Sequence, residues 1–106
     1  MKKINILKKN KDFDKVLNNK KKLSNQYFSL FYNKTNQDNF RIGIAVSKKC
    51  GNAVVRNKEK RRIRSIIDKI DNIKIYDYVL ISKPSSIKES YEDKQINLEK
   101  LFKEVN

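Results

Sequence analysis

The sequence predicts a single α+β domain whose helices and strands follow the order α-β-β-α-β-α. Its length of 106 residues is typical of one domain. Leu, Ile, Val and Phe account for 31 residues, about 29% of the chain, which is above the roughly 20% below which charged chains stay disordered. Apolar residues recur with helical spacing in three segments and with strand patterns in three others.

The first predicted element is a short helix that follows a basic arm at residues 1–9. Asn10 can cap this helix, which we expect to end near residue 19, before a run of three lysines. Its apolar positions, spaced i, i+3 and i+4, are Phe13, Val16 and Leu17. This short stripe predicts a helix that packs on one side only.

Two strands are predicted next, and we expect them to form a hairpin. Residues 27–32 are apolar or aromatic except for one serine, residues 33–39 form a polar turn, and residues 40–47 alternate. In the second strand Ile42, Ile44 and Val46 point to one side, and Arg41, Gly43, Ala45 and Ser47 to the other. The small residues leave a shallow trough above the sheet. A further short strand is possible at residues 23–26.

A long helix, a buried strand and a final helix are predicted in the C-terminal half. Asn52 can cap a helix that reaches about Ile70. Residues 76–82 are apolar at both strand parities, which is typical of a central strand covered on both faces. The final helix can begin at Ser86 or Ser90, each followed three residues later by an acid. The apolar stripes of the two helices are Ile63, Ile66, Ile67 and Ile70, and Leu98, Leu101, Phe102 and Val105.

The formal charge of +14 indicates a polyanionic partner. The excess lies in residues 1–66, which hold 19 basic and 4 acidic side chains, against 7 and 8 in residues 67–106. A charge concentrated in one part of the chain is typical of a binding surface.

The composition also excludes several kinds of chemistry. Because the chain has no His, a triad or metal site that needs imidazole is excluded. Cys50 is the only cysteine, so no internal disulfide can form, and we expect a reducing, cytoplasmic location. No apolar run is long enough to cross a bilayer, and we expect no membrane partner. We expect neither catalytic residues nor metal ligands on the protein.

The most informative segment is residues 48–64, which hold four of the five arginines. At about 100° per residue, one helix face carries Arg56, Asn57, Lys60, Arg61 and Arg64. A charged helix face is often simply solvated, but such a face mixes signs, and the only acid here, Glu59, lies off the stripe. Arginine pairs bidentately with phosphate and stacks on bases. The stripe therefore favours binding to RNA or DNA phosphates.

Residues 41–64, with the sequence RIGIAVSKKCGNAVVRNKEKRRIR, resemble the protein subunit of bacterial ribonuclease P. That family carries an Arg-Asn pair in the helix after a strand ending in Ser-Lys-Lys. The resemblance extends from Leu7-Lys-Lys-Asn-Lys-Asp-Phe13 through Tyr76-Asp-Tyr78 and Lys83-Pro84 to the last helix, and so covers nearly the whole chain.

The resemblance implies a two-layer sandwich with a central mixed sheet and a ribosomal S5 domain 2-like fold. It also implies a left-handed β-α-β crossover, an exception to the general rule. The implied function is to assist a catalytic RNA subunit that removes the 5′ leader from precursor tRNA. Mg²⁺ would be held mainly by that RNA and the substrate, and the isolated protein would be inactive. The implied partners are the RNA subunit and precursor tRNA, not DNA.

Two sets of site residues are implied by matching positions. The surface toward the RNA subunit comprises Lys48, Lys49, Arg56, Asn57, Lys60, Arg61 and Arg64. The cleft that holds the single-stranded leader comprises Phe13, Leu17 and Phe31, where Leu17 replaces the usual aromatic residue. For Phe13 a plain core position is an equal alternative.

Two other functions remain open at this point. A ribosomal or other structural RNA-binding protein would share the small size, the high lysine content and the α/β sandwich. A DNA-binding regulator could use residues 52–70 as a recognition helix, but no partner helix of a helix-turn-helix precedes it.

Overall fold

The computed structural model describes residues 1–19 and 21–105, so Lys20 of the basic run lies outside the described residues. Three helices and four strands are present in this part of the chain. In chain order they are α1 (Asn10–Leu17), β1 (Lys22–Ser24), β2 (Phe28–Asn33), β3 (Arg41–Val46), α2 (Ala53–Asp68), β4 (Asp77–Ser82) and α3 (Tyr91–Glu104). Short 3-10 turns lie at Lys3–Asn5, Lys48–Cys50 and Pro84–Ser86. The predicted element order is confirmed, and β1 is the short strand expected at residues 23–26.

The four strands form one mixed sheet in the order β1-β2-β4-β3. The predicted pairing of β2 with β3 in a hairpin is wrong, because β4 lies between them, antiparallel to β2 and parallel to β3. β4 is buried along almost its whole length, and a strand that is apolar on both sides gains most from the central position. The hairpin forms instead between β1 and β2. At its turn Asn25 Oδ1 accepts the backbone N–H groups of Tyr27 at 2.9 Å and Phe28 at 2.8 Å.

α2 is the crossover between the parallel strands β3 and β4. The helix begins after Asn52, whose Oδ1 accepts the Val55 N–H at 3.0 Å. The chain reaches the start of α2 through Gly51, whose φ of +142° lies in the region that favours glycine. The left-handed sense of the crossover stays a prediction.

The two faces of the sheet are covered differently. On one face, which we call the core face, α2 and α3 pack against the sheet. The core that helices and sheet form together there comprises Phe28, Leu30, Tyr32, Ile42, Ile63, Ile66, Ile67, Tyr78, Leu80, Leu98, Leu101, Phe102 and Val105. On the other face, which we call the trough face, α1 covers a smaller cluster of Leu7, Val16 and Val79. Sheet and helices thus form the predicted sandwich on the core face, while the single helix α1 leaves part of the trough face open.

One buried ion pair was not predicted. Glu59 on α2 is 2% exposed and Lys94 on α3 is 0% exposed, and the Lys94 ammonium donates to Glu59 Oε1. Glu59 Oε2 also accepts the hydroxyls of Ser82 at 2.6 Å and Ser86 at 2.7 Å. Of the two predicted starts of α3, Ser90 is the one observed: its Oγ accepts the Asp93 N–H at 3.1 Å. The Ser86 hydroxyl instead donates to Glu59.

Candidate nucleic-acid interface

The predicted basic stripe of α2 faces away from the sheet. Asn57, Lys60, Arg61 and Arg64 line one open concavity of about 390 Å³. Among the described residues none of these cations forms a salt bridge. Glu59, the only acid of residues 48–64, has its charge turned into the core toward Lys94. Asp68 at the end of α2 pairs with the Met1 ammonium at 2.9 Å instead of with the stripe. The outer face of α2 therefore presents uncompensated positive charge to any partner.

Arg56 lies at the inner border of this stripe. Its side chain is half-buried, and its Nε is a buried polar atom without a hydrogen-bond partner among the described residues. The remaining guanidinium nitrogens can still meet a phosphate oxygen. Lys48 and Lys49 are exposed in the 3-10 turn just before α2, where the partial positive charge of the helix N-terminus adds to theirs. All seven residues of the first predicted set thus lie on α2 or at its start.

Cys50 lies between these lysines and α2 without the features of a nucleophile. Its Sγ approaches the Ser82 carbonyl at 3.7 Å. Burial, and then the Glu59 charge, raise the pKa of the thiol, which disfavours the reactive thiolate. Cys50 therefore acts as a small, half-buried residue that fills the space beside the end of β4.

Phe31 projects from the trough face of β2. It pairs with Lys22 on one side and Val79 on the other, whereas its neighbours Leu30 and Tyr32 belong to the core face. Phe31 is half-buried and only packs against the small cluster under α1. Part of its ring is thus available to a ligand in the trough.

Phe13 and Leu17 lie on α1 above the same face. The Phe13 ring rests on Gly43 so closely that a Cβ at position 43 would lie 2.2 Å from Phe13 Cζ. Phe13 is half-buried, so the structure gives it both a packing role and an open edge. Leu17 is 38% exposed at the end of α1. Two residues of the second predicted set, Phe13 and Phe31, thus pack against the cluster of the trough face, whereas Leu17 lies exposed at the end of α1.

Lys22 is a residue of this face that the sequence analysis missed. Its Nζ lies 5.3 Å from the centroid of the Phe31 ring, within the range of a cation–π contact. β1 has three residues, which is too short to show a strand period. The sequence of β1 therefore did not indicate to which face of the sheet the Lys22 side chain points. The Asn25 turn, which sets the β1–β2 register, is the signal that could have found it.

Arg41 is the one arginine that the structure assigns to internal structure. Its Nε and Nη2 donate to the two carboxylate oxygens of Asp77 at 2.8 and 2.7 Å, and Nη1 reaches Asp12 of α1 at 3.5 Å. The hydrogen bonds to Asp77 are the main cause of the raised pKa of Arg41. This cluster joins β3, β4 and α1 at the end of the trough face, and both of its acids are occupied by Arg41.

Comparison with known proteins identifies the family. The family model described as Ribonuclease P matches residues 1–106. The chain belongs to the ribonuclease P protein family. The ribonuclease P protein component of Mesoplasma florum is 41% identical over 95% of this chain and 94% of the relative. That of Bacillus cereus strain AH187 is 43% identical over 97% and 92%.

Solved ribonuclease P proteins share the fold as well. The Staphylococcus aureus protein superimposes with a TM-score of 0.84 at 34% identity, over 93% of each chain. The Thermotoga maritima protein gives 0.86 at 29% identity, over 95% of this chain and 97% of that one. These likenesses support a role as a subunit of ribonuclease P, an endoribonuclease of tRNA processing, and do not favour a ribosomal protein. No helix among the described residues is long and apolar enough to span a membrane.

Proposed function

We propose that this protein assists a catalytic RNA subunit in the endonucleolytic removal of the 5′ leader from precursor tRNA. The observation that carries the proposal is the arrangement of two separate surfaces on one small domain. The cations of α2 form an unpaired face suited to structured RNA. Phe31 and Phe13 line a trough suited to an unpaired strand, because bases stack on exposed rings with little sequence preference.

The protein contributes binding rather than bond cleavage in this proposal. The RNA subunit and the substrate would hold the Mg²⁺ ions, which would supply activation of the attacking water. The chain offers no imidazole, and the raised pKa of the Cys50 thiol keeps that group protonated. The α2 surface would hold the protein on its RNA, and the trough would hold the leader, so that only substrates that still carry a leader gain this contact. We place this activity in the cytoplasm.

The first prediction tests the α2 surface. In holoenzyme reconstituted with a ribonuclease P RNA, Lys60→Ala/Arg61→Ala/Arg64→Ala should weaken protein–RNA binding. The slope of log affinity against log salt should fall by about 2 to 3, because each lost phosphate contact removes about 0.7 to 0.9. Filter binding across a salt series measures this slope.

A matched control removes three exposed lysines from the α3 side of the molecule, Lys88, Lys100 and Lys103. This control changes the net charge equally and should leave the slope nearly unchanged. Equal losses in the two triple variants would show that binding depends on total charge, and the α2 surface would then not be the contact.

The second prediction concerns which subunit cleaves the precursor tRNA. The isolated protein should cleave no precursor tRNA at any Mg²⁺ concentration, whereas its addition to the RNA subunit should lower the Mg²⁺ and substrate concentrations needed for cleavage. Gel assays of 5′-labelled precursor measure both. Cleavage by RNA-free protein that persists after nuclease-contamination controls would refute the accessory role.

A further inference from the structure

The wall of the trough on the β1 side carries an ammonium group directly at the position where a base would stack. Lys22 is the cross-strand neighbour of Phe31, and its Nζ lies 5.3 Å from the ring centroid. Lys22 is exposed. The cation on the outermost strand β1 and the aromatic ring on its neighbour β2 thus form one unit at this edge of the trough face.

The charge of Lys22 is uncompensated. It takes part in no salt bridge among the described residues. The two acids at the far end of the trough face, Asp12 and Asp77, are both occupied by Arg41. A second ammonium on the same wall, that of Lys83, already donates to Ser24 Oγ at 3.0 Å and to the Asn25 carbonyl at 2.6 Å. Among the described residues, Lys22 is therefore the cation of this wall that is free to meet a ligand.

A stacked base and the Lys22 ammonium cannot both cover the same part of the Phe31 ring. At an exposed site, stacking of a base on an aromatic ring is the stronger of the two interactions. The base would displace the ammonium, and the flexible lysine side chain would carry the charge toward the sugar–phosphate backbone of the same nucleotide. There it would gain a charge-assisted hydrogen bond to a phosphate oxygen.

We propose that Lys22 is a leader-binding residue that takes a backbone phosphate of the single-stranded leader while Phe31 stacks on the attached base. In this arrangement the leader backbone follows β1 at the edge of the sheet, and the bases point inward over the trough. The inference rests on the proposed function and adds an orientation of the leader and a phosphate contact to it.

The chain offers a matched control one residue away. Lys21 is also exposed, but strand alternation turns its side chain to the opposite face. Its Nζ lies 5.9 Å from the ring centroid of Tyr32, a residue of the core face. Lys21 and Lys22 therefore share charge, exposure and an aromatic neighbour, and differ in the face of the sheet that they serve.

The experiment compares Lys22→Ala, Lys22→Arg and Lys21→Ala in reconstituted holoenzyme. Dissociation constants are measured for precursor tRNA and mature tRNA over a salt series. We expect Lys22→Ala to weaken precursor binding about two- to fivefold, the range of an exposed ion pair. The salt slope should fall by about 0.7, the value for one phosphate of a single strand. Binding of mature tRNA should not change, Lys22→Arg should retain most of the affinity, and Lys21→Ala should resemble the wild type.

Three results would overturn the proposal. Tighter precursor binding by Lys22→Ala would mean that the ammonium only competes with the base. Equal losses for Lys21→Ala and Lys22→Ala would mean that general charge is responsible. A parallel loss of mature tRNA binding would assign Lys22 to the body of the tRNA. Failure of the proposed function has a different signature, because wild-type holoenzyme would then bind precursor and mature tRNA equally.

Discussion

Single contacts on the trough face show how closely packing and binding are combined in this small domain. Gly43 leaves room for the Phe13 ring, which approaches to a distance that no Cβ could tolerate. Phe31 has one edge in the cluster under α1 and another toward the open trough. Each residue thus has a packing role, which unfolding experiments can separate from a role in binding.

Gly43→Ala should destabilise the protein by about 1 to 3 kcal/mol, because the new methyl group forces the Phe13 ring out of place. Urea unfolding of the free protein measures this change. In a Phe13→Ala background the same substitution should cost much less, since the colliding atoms are gone. An equal cost in both backgrounds would show that the ring is not the cause.

Phe31→Ala should weaken precursor tRNA binding by about 1 to 3 kcal/mol, the value of one base–aromatic stack. Mature tRNA binding should stay near wild type, because mature tRNA has no leader. Leu30→Ala is the control, since Leu30 is 0% exposed in the core and its truncation should cost about 2 to 5 kcal/mol of stability. Equal losses for precursor and mature tRNA with Phe31→Ala, accompanied by a large fall in thermal stability, would assign Phe31 to the core.

At the scale of elements, the Glu59–Lys94 pair joins α2 to α3, and the two serine hydroxyls join both helices to β4 and to the turn that follows it. The pair keeps Glu59, the only acid of residues 48–64, inside the protein. The outer face of α2 is therefore left with a positive charge. A buried ion pair adds little net stability compared with apolar residues, but loss of one partner is costly.

Lys94→Met should therefore destabilise the protein by about 3 to 5 kcal/mol, since it leaves the Glu59 carboxylate buried without its cation. Thermal and urea unfolding measure the loss. The double variant Glu59→Leu/Lys94→Met should recover most of it, because an apolar pair can replace a buried ion pair. A double variant as unstable as the single one would show that the charge of the pair is not what matters.

At the scale of the whole molecule, the charge of +14 on 106 residues favours binding to RNA but lowers the stability of the free protein. Lys60, Arg61 and Arg64 lie together without a salt-bridge partner among the described residues, so they repel one another in the free protein. The repulsion extends over roughly 30 Å at 0.01 M salt and about 3 Å at 1 M. RNA binding would relieve it, and the surface that serves binding is thus a cost to the free protein.

The triple variant Lys60→Ala/Arg61→Ala/Arg64→Ala should consequently melt at a higher temperature than the wild type at 0.01 M salt, with the difference lost at 1 M. The expected gain is under about 1 kcal/mol for each removed charge, as is typical of exposed charges. Scanning calorimetry at both salt concentrations checks this, with the triple variant of the α3 lysines as the control. A difference that persists at 1 M salt would point to packing rather than repulsion.

The local pattern of residues along the chain was sufficient to predict much of this structure. The element order, the N-cap at Asn52 and the one-sided basic stripe of α2 follow from spacing along the chain alone, because the period of a helix or strand determines which residues are neighbours. The resemblance of residues 41–64 to the ribonuclease P protein family, confirmed by comparison, depends likewise on contiguous sequence.

Only the tertiary structure decided which distant elements meet. The apolar pattern of β4 predicted a central strand, but it did not show that β4 would lie between β2 and β3, because the choice of neighbours is a property of the assembled sheet. The pairing of Glu59 with Lys94, 35 residues away, and the position of Lys22 over Phe31 have the same origin. Both depend on the packing of two elements and on strand register, whereas the period within one element determines only which side of that element a residue occupies.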